Sequence, residues 1–567
     1  MSTARLGRAQ MAGILETNVL FEFQQRGAGA RRCGEAGRGA LLVVAGIVVV
    51  CSILGGAFGS RLGSAASASD RNAVDEEVRG LKRVLDTIEE NYAEPVTATE
   101  IIYGGAIPVL LRGLDPHSMF FDPEAFSRLR EEQRGSYAGV GMLIRLYYGE
   151  TIVDYPFPAS PAFDAGVEPG DTIVKINGAP TDGLGVEEVA ERVRGPEGTS
   201  VHLSLRRNGV DDLLELDVVR ASIPRPSVPL AFFIEPGIGY VKILSFGETT
   251  GEELDQAMRR LHEGRLKGLV LDLRGNQGGL LTAGVRVAER FLQRGQTIVS
   301  HRGRASDERV YKARRGEEGQ PFPMTVLINC NSASASEIVA GALQDHDRAL
   351  MVGTNTFGKG LVQSVFDLPE STGLVLTTAR YYTPSGRMIQ RPYDNLSQRD
   401  YYFDPCSPTY NPGTQDPRLT DGGRAVYSGA GIAPDVKLAE AILNPFQQRM
   451  VERRAFEGYA QEFSLQTKTL PHNWDPDDRL IAGFERYLER QGITVSHEEF
   501  QRNLPHIRRM LKKSIYTAVV NYDEAMRVDT EMDPSVRRAI ELLPEARALL
   551  RDRGRDLAKY GSAQAGR

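Results

Sequence analysis

Met324-Thr-Val-Leu-Ile-Asn-Cys-Asn-Ser-Ala-Ser-Ala-Ser-Glu337 runs straight into Ile338–Gln344, and this stretch decides the fold class. Its opening is apolar without alternation, which predicts a strand buried on both faces, from Met324 to Asn329. Small residues then lead into an aliphatic run that reads as a helix. Ser334 with Glu337 three residues on is the capping-box pattern for such a helix start. The same plan recurs on either side. Gly268-Leu-Val-Leu-Asp-Leu-Arg274 reads as a strand, Gly275-Asn-Gln-Gly-Gly279 as a turn and Leu280–Leu292 as a helix. Arg348-Ala-Leu-Met-Val352 reads as a strand leading into Gly353-Thr-Asn-Thr-Phe-Gly-Lys-Gly360 and a further strand, Leu361-Val-Gln-Ser-Val-Phe366. Strands that alternate with helices give an α/β region, here from Pro224 to about Glu440.

Each junction carries candidate chemistry and an ordinary alternative. Ser334 at a helix start is explained by capping, yet the same place gives a nucleophile an exposed Oγ and a favourable dipole. Gly278 and Gly279 suit any tight turn, but paired glycines also let backbone N–H groups approach a developing oxyanion. Gly353–Gly360 matches a phosphate-binding loop at every position but the last. There Gly360 replaces the hydroxyl that would hold magnesium, and a strand follows where a helix is needed, so a nucleotide site is disfavoured.

Upstream, Asp164-Ala-Gly-Val-Glu-Pro-Gly-Asp171 precedes a strand at Thr172–Asn177 with a turn at Gly178. Val186–Val193 reads as a short helix and Val201–Leu205 as another strand. This segment, 135–222, resembles a PDZ domain, with Tyr137-Ala-Gly-Val-Gly-Met142 as its glycine-rich entry loop. Backbone amides at Gly139, Val140, Gly141 and Met142 can form a nest for a peptide carboxylate while the peptide adds to the sheet edge. Before it, in the region 70–134, Val74, Val78, Leu81, Leu85, Ile88 and Tyr92 form a helical seam, suited either to packing within its own domain or to dimerisation. Arg391–Gly423 is too long for an ordinary connection and reads as a surface insertion or lid. Residues 441–567 read as a charged helical extension, with Pro534–Leu543 the clearest helix.

The bulk properties narrow the function. The chain has 567 residues, 25% of them charged, and a net charge of −6, which gives no nucleic-acid footprint. Its four cysteines do not make a disulfide framework or a zinc pattern, and no H-E-x-x-H is present, so no metal or other cofactor is expected. Leu41–Phe58 carries no charge and follows six arginines against three glutamates. That predicts a cytoplasmic tail (1–40) and a membrane-spanning signal-anchor (41–59), with the bulk exported beyond an inner membrane. Ala66-Ser67-Ala68 offers a cleaved signal peptide as the alternative.

Taken together, the junctions resemble the C-terminal processing (tail-specific) proteases, a Ser–Lys peptidase family. The resemblance lies in Leu271–Leu280, Ser332–Glu337, Thr356-Phe-Gly-Lys-Gly360, Tyr381-Tyr-Thr-Pro-Ser-Gly-Arg387, Gly431-Ile-Ala-Pro-Asp435 and Leu114-Asp-Pro-His-Ser118, in that family's order, over about residues 70–440. It implies a multidomain α/β (α+β) protein with a crotonase-like Ser–Lys protease core (223–440), an inserted PDZ domain, N-terminal helices and a C-terminal helical extension. It implies Ser334 as nucleophile, Lys359 as general base, Gln363 orienting it, and an oxyanion hole from Gly278 or Gly279 with Ala335. The expected activity is endopeptidase cleavage of exported proteins near their C-termini. The expected partners are protein or peptide substrates with free C-termini, the membrane through the N-terminal helix, and a second copy or an adaptor through the helical regions. Gln277 departs from the family, where a small residue or Pro is common. Lysine, with an ordinary pKa near 10.4, becomes a useful base only when burial disfavours its ammonium, and Phe357 with the apolar strands could supply that dry setting. Three rivals are weighed: a catalytically silent PDZ scaffold, an acyl-CoA enzyme of the crotonase type, and a Ser–His hydrolase using His346.

Overall fold

The computed structural model describes residues 64–147, 149–315, 322–393, 398–403, 417–439, 442–471 and 473–551. Two compact units divide them: one holds Glu124–Val365 and everything from Thr377 onward, and the other runs up to Pro123 and takes in Phe366–Leu376.

The larger unit is built on a six-stranded sheet. Its strands lie in the order Leu230–Glu235, Ile238–Lys242, Gly268–Asp272, Met324–Ile328, Leu350–Gly353 and Val436–Lys437. The first pair is antiparallel and the rest are parallel. The three strands predicted from continuous apolar runs are the central, fully buried ones. Helices Thr250–Glu263, Leu281–Glu289 and Ala335–Asp345 cover one face through Leu254, Met258, Val287, Ile338 and Val339. Val270, Leu327 and Val352 point to the other face, where Val536 and Ala539 of the helix Pro534–Glu541 close over them. A helix near the end of the described chain therefore completes the layering of the sheet that carries Ser334.

A separate sheet in the same unit has the strand order Met142–Tyr147, Glu150–Pro156, Thr172–Ile176, Ser200–Arg206 and Leu214–Val219. Val140, Val153, Ile173, Val189, Val201 and Leu203 form its core. The helix Val186–Val193 supplies Val189, as its apolar spacing predicts. A two-stranded ribbon, Ser136–Gly139 against Ala221–Pro224, carries the chain into and out of this sheet. Beyond residue 444, helices pack around Phe446, Phe456, Phe484, Phe500, Ile507 and Leu511. They also meet the second sheet: Tyr522 stacks on Tyr155 with centroids 4.1 Å apart, and Arg454 lies over the Tyr147 ring at 4.7 Å.

In the smaller unit the helix Ser64–Asn91 leads to a capping box at Thr97 and Glu100. Val78 and Leu81 of the expected seam are 58% and 51% exposed. The strand Met119–Phe121 pairs antiparallel with Gly373–Val375. Asp115 accepts from the amides of His117 and Ser118 at 2.7 and 2.8 Å, which folds Leu114–Ser118 into a tight turn.

The inner-membrane, single-pass location expected above is corrected. No helix among the described residues is long and apolar enough to cross a membrane, and the segment 41–59 lies outside those residues. The long helix Ser64–Asn91 is charged throughout, with Asp75, Glu76, Glu77, Arg79, Lys82 and Arg83 in its middle.

Candidate active site

The three serines of Ser332-Ala-Ser-Ala-Ser336 divide their roles. Ser332 Oγ donates to the Leu273 carbonyl at 2.9 Å, and Ser336 Oγ to the Asn276 carbonyl at 2.8 Å. Ala333 N reaches the same Asn276 carbonyl at 3.0 Å. The outer serines thus tie one strand-to-helix junction to the other. Ser334 Oγ is buried and meets no hydrogen-bond partner among the described residues. Ser334 itself is held at φ 55°, ψ −113°, a conformation that costs a non-glycine residue about 1–3 kcal/mol.

Only half of the expected capping arrangement engages a side chain. Glu337 Oε2 accepts the Ser334 N–H at 2.8 Å, while the Glu337 N–H bonds to the Ser334 carbonyl rather than its hydroxyl. The fully buried Glu337 carboxylate does more than cap. Oε2 also accepts the Lys359 N–H at 2.8 Å, and Oε1 accepts from Thr356 Oγ1 and Gly358 N at 2.5 and 2.8 Å. Burial pushes this carboxyl above the usual carboxylate range, against the pull of those four donors. One carboxylate oxygen therefore joins the backbones of Ser334 and Lys359.

Lys359 is 1% exposed, and its Nζ donates to Gln363 Oε1 at 2.7 Å. Gln363 is equally buried on the strand Leu361–Asp367. Phe357, just before Lys359, has Tyr401 at 5.3 Å and the Arg391 guanidinium over its ring at 4.2 Å. The insertion that begins at Arg391 thus folds part of itself, the helix Gln398–Phe403, against this loop.

Gly278 and Gly279 have φ values of 106° and 139°, which favour glycine. A Cβ on Gly278 would stand 2.7 Å from Ser334 Cβ and 3.0 Å from Ala335 N, so glycine keeps the space beside both clear. The Gly278 N–H is taken by Asn276 Oδ1 at 2.8 Å. The N–H groups of Gly279 and Ala335 have no acceptor among the described residues. A cleft of about 170 Å³ opens along Gly278 and Gly279, walled by Leu129, Gln133, Leu244 and Phe246.

The structure thus gathers Ser334, Ala335, Gly278, Lys359 and Gln363 around the ends of adjacent strands. Gly139, Val140, Gly141 and Met142 lie elsewhere, at the mouth of the second sheet and beside its edge strand Met142–Tyr147. His346 is not a base for Ser334. Its two ring nitrogens are engaged at 2.7 Å by Asp421 and by the Thr297 carbonyl. Cys330 is disulfide-bonded, a pairing that sequence spacing did not suggest. The contacts of Asn276 also escaped sequence reasoning, because they join distant segments.

Comparison with known proteins fits this geometry. Residues 237–394 match the model of peptidase family S41, and residues 152–207 match that of the PDZ domain. A carboxyl-terminal-processing protease of Synechocystis is 36% identical over 319 residues, covering 55% of this chain and 71% of that protein. The chain belongs to the carboxy-terminal processing proteases of peptidase family S41. The corresponding protease of Bartonella bacilliformis is 42% identical over 290 residues, covering 50% of this chain and 66% of that protein. The carboxy-terminal processing protease CtpA of Bacillus subtilis is 33% identical, with 56% and 67% covered. The matches thus span about two thirds of these relatives' own lengths. Among solved structures, the photosystem II D1 C-terminal processing protease is 31% identical, covering 62% of this chain and 86% of its own, with a TM-score of 0.33. S41 is a serine protease family, and the mixed α/β architecture expected from the sequence, with its PDZ domain, is the one observed.

Proposed function

We propose that this S41 peptidase is an endopeptidase that cleaves protein chains near their C-termini, with Ser334 as nucleophile and Lys359 as general base. The observation that carries the reading is the buried junction in which Glu337 Oε2 accepts the backbone amides of both residues. Lys359, 1% exposed, stands where burial disfavours the ammonium, so the neutral amine can take the Ser334 proton. Gln363 Oε1, accepting from Nζ at 2.7 Å, orients that amine. As Oγ attacks the scissile carbonyl, the oxyanion develops before the N–H groups of Ala335 and Gly279, the glycine whose amide is not already engaged. Collapse of that intermediate breaks the scissile C–N bond as Lys359 hands its proton to the departing amine, and a water that Lys359 deprotonates then hydrolyses the acyl-enzyme ester, the proton returning to Ser334 Oγ.

The PDZ domain is read as the binding site for the substrate's tail. Gly139–Met142 faces the carboxylate, and the tail adds to the open edge of Met142–Tyr147. Ser334 is 0% exposed, so a substrate reaches it only when the site opens. The helix Pro123–Arg134 lines the cleft through Leu129 and Gln133 and runs directly into the PDZ ribbon at Ser136. A tail that shifts the PDZ domain therefore acts on the cleft wall. A silent PDZ scaffold is the weaker reading, because a binding protein has no need of an unpartnered serine beside a buried lysine.

The experiment is peptide cleavage by Ser334→Ala and Lys359→Ala. Both should be inactive while unfolding cooperatively within a few degrees of the parent. Cleavage by Ser334→Ala at the parental rate would refute the reading.

A further inference from the structure

One hydroxyl touches both halves of the proposed dyad. Tyr381 lies on the strand Gly373–Tyr382 and is 0% exposed. Its Oη is 3.1 Å from the Ser334 carbonyl oxygen and also hydrogen-bonds the Lys359 carbonyl. A phenol has one proton, so the two carbonyls share it or take it in turn. Burial and the nearby Glu337 hold this phenol well above its ordinary pKa, which keeps the proton available to donate.

The same two residues are held on their N-terminal side by Glu337 Oε2, through the N–H groups of Ser334 and Lys359. Carboxylate and phenol together grip each residue by its amide and its carbonyl. Such a grip has a specific use here. Ser334 sits at φ 55°, ψ −113°, and a sparsely populated backbone state persists only where the surroundings over-determine it. With both backbones fixed, the reach of Oγ and Nζ towards each other no longer depends on a direct side-chain bond. That fits the observation that Ser334 Oγ has no partner among the described residues.

We propose that Tyr381 is a positioning residue of the peptidase reaction, its hydroxyl bridging the carbonyls of Ser334 and Lys359 so that nucleophile and base keep their spacing. The inference rests on the Ser–Lys reading above. It predicts a loss confined to the chemical step, because Tyr381 is sealed away from the substrate cleft.

The test is Tyr381→Phe in the full chain, compared with the parent and with Tyr459→Phe. Tyr459 likewise donates to a backbone carbonyl, that of Leu480 at 3.1 Å, but in the C-terminal helices. In Tyr381→Phe, kcat should fall between about 10- and 100-fold, the range for a misplacement of up to about 1 Å, with KM within about twofold. Phosphonylation of Ser334 by a small fluorophosphonate, which needs no PDZ engagement, should slow by the same factor. The acid limb of the kcat profile should move to higher pH, since water admitted to a loosened site favours the ammonium of Lys359. Replacing Tyr381 by 4-aminophenylalanine, which restores a donor, should recover most of kcat. Tyr459→Phe should keep parental kinetics. An unchanged kcat and pH profile in Tyr381→Phe would overturn the proposal. So would loss of the folded state in that variant, or equal losses with phenylalanine and aminophenylalanine, since each points to packing alone. If Ser334→Ala also cleaves peptide, the dyad reading itself fails, whatever Tyr381 does.

Discussion

At the scale of single residues, the three serines of the junction differ in what their hydroxyls meet. Ser332 and Ser336 spend their hydroxyls on carbonyls across the junction, whereas Ser334 does not. Gly278 is required in a stricter sense. A methyl group there would sit 2.7 Å from Ser334 Cβ and 2.9 Å from the Ala333 carbonyl oxygen, at a φ of 106°. Gly278→Ala should therefore cost about 1–3 kcal/mol of stability and at least about 100-fold in kcat. Thermal melts and steady-state kinetics check the two halves; near-normal kcat would show that nothing need fit beside Ser334. Part of the local geometry at this level was legible in the sequence. The Ser334–Glu337 spacing and the glycine pair are local patterns in the sequence, whereas the role expected of Lys359 came from the family resemblance. The positive φ of Ser334, the second task of Glu337 and the reach of Tyr381 were not legible, since each depends on where another segment arrives.

Between elements, what decides the outcome is which faces meet. The strands Gly268–Asp272, Met324–Ile328 and Leu350–Gly353 were expected because unbroken apolar runs need cover on both faces. That one cover is the distant helix Pro534–Glu541 could not be read, because its amphipathic pattern names a buried face and no partner. The contact of the C-terminal helices with the PDZ sheet was equally silent. There Asp154 lies 2.5 Å from Arg145 Nε and 3.8 Å from Arg454, with Glu457 nearby. Burial pushes the Asp154 carboxyl up to about 6, Arg145 opposing and Glu457 adding to the rise. An unfolded aspartate titrates near 3.9, so this group's contribution is fully present below about pH 4 and is lost as pH rises through about 6. Asp154→Asn stays neutral throughout. Its melting temperature should exceed the parent's at about pH 7.5, with the difference shrinking steadily from about pH 6 towards pH 4. A difference that is constant with pH would place the burden elsewhere.

For the whole molecule, the sequence indicated a PDZ module inserted ahead of an α/β peptidase core, and the family comparison agrees with both. It also suggested a membrane-spanning segment, which falls outside the described residues and finds no counterpart among them. The proposed reading places recognition and chemistry in separate parts of the chain, so they should be separable in kinetics. If Gly139–Met142 binds a free carboxylate, amidating a peptide's C-terminus should lower kcat/KM several-fold, mainly through a higher KM. On the proposed reading, the PDZ domain would raise the local concentration of the scissile bond without touching the reacting atoms. Equal kcat/KM for free-acid and amidated peptides would remove tail recognition and leave the peptidase reading intact.

The central claim is that Ser334 is activated by a neutral Lys359. It is tested most directly by locating and timing covalent modification of Ser334 in the parent and in Lys359→Arg. Guanidinium stays protonated and cannot act as a base, so the substitution keeps a positive charge while removing the function. After exposure to a fluorophosphonate, peptide mass mapping should place the adduct on Ser334 in the parent. In Lys359→Arg the rate should fall at least about 100-fold, within or beyond the usual worth of a general base. An adduct on another serine, or labelling of Ser334 at the parental rate in Lys359→Arg, would contradict the account.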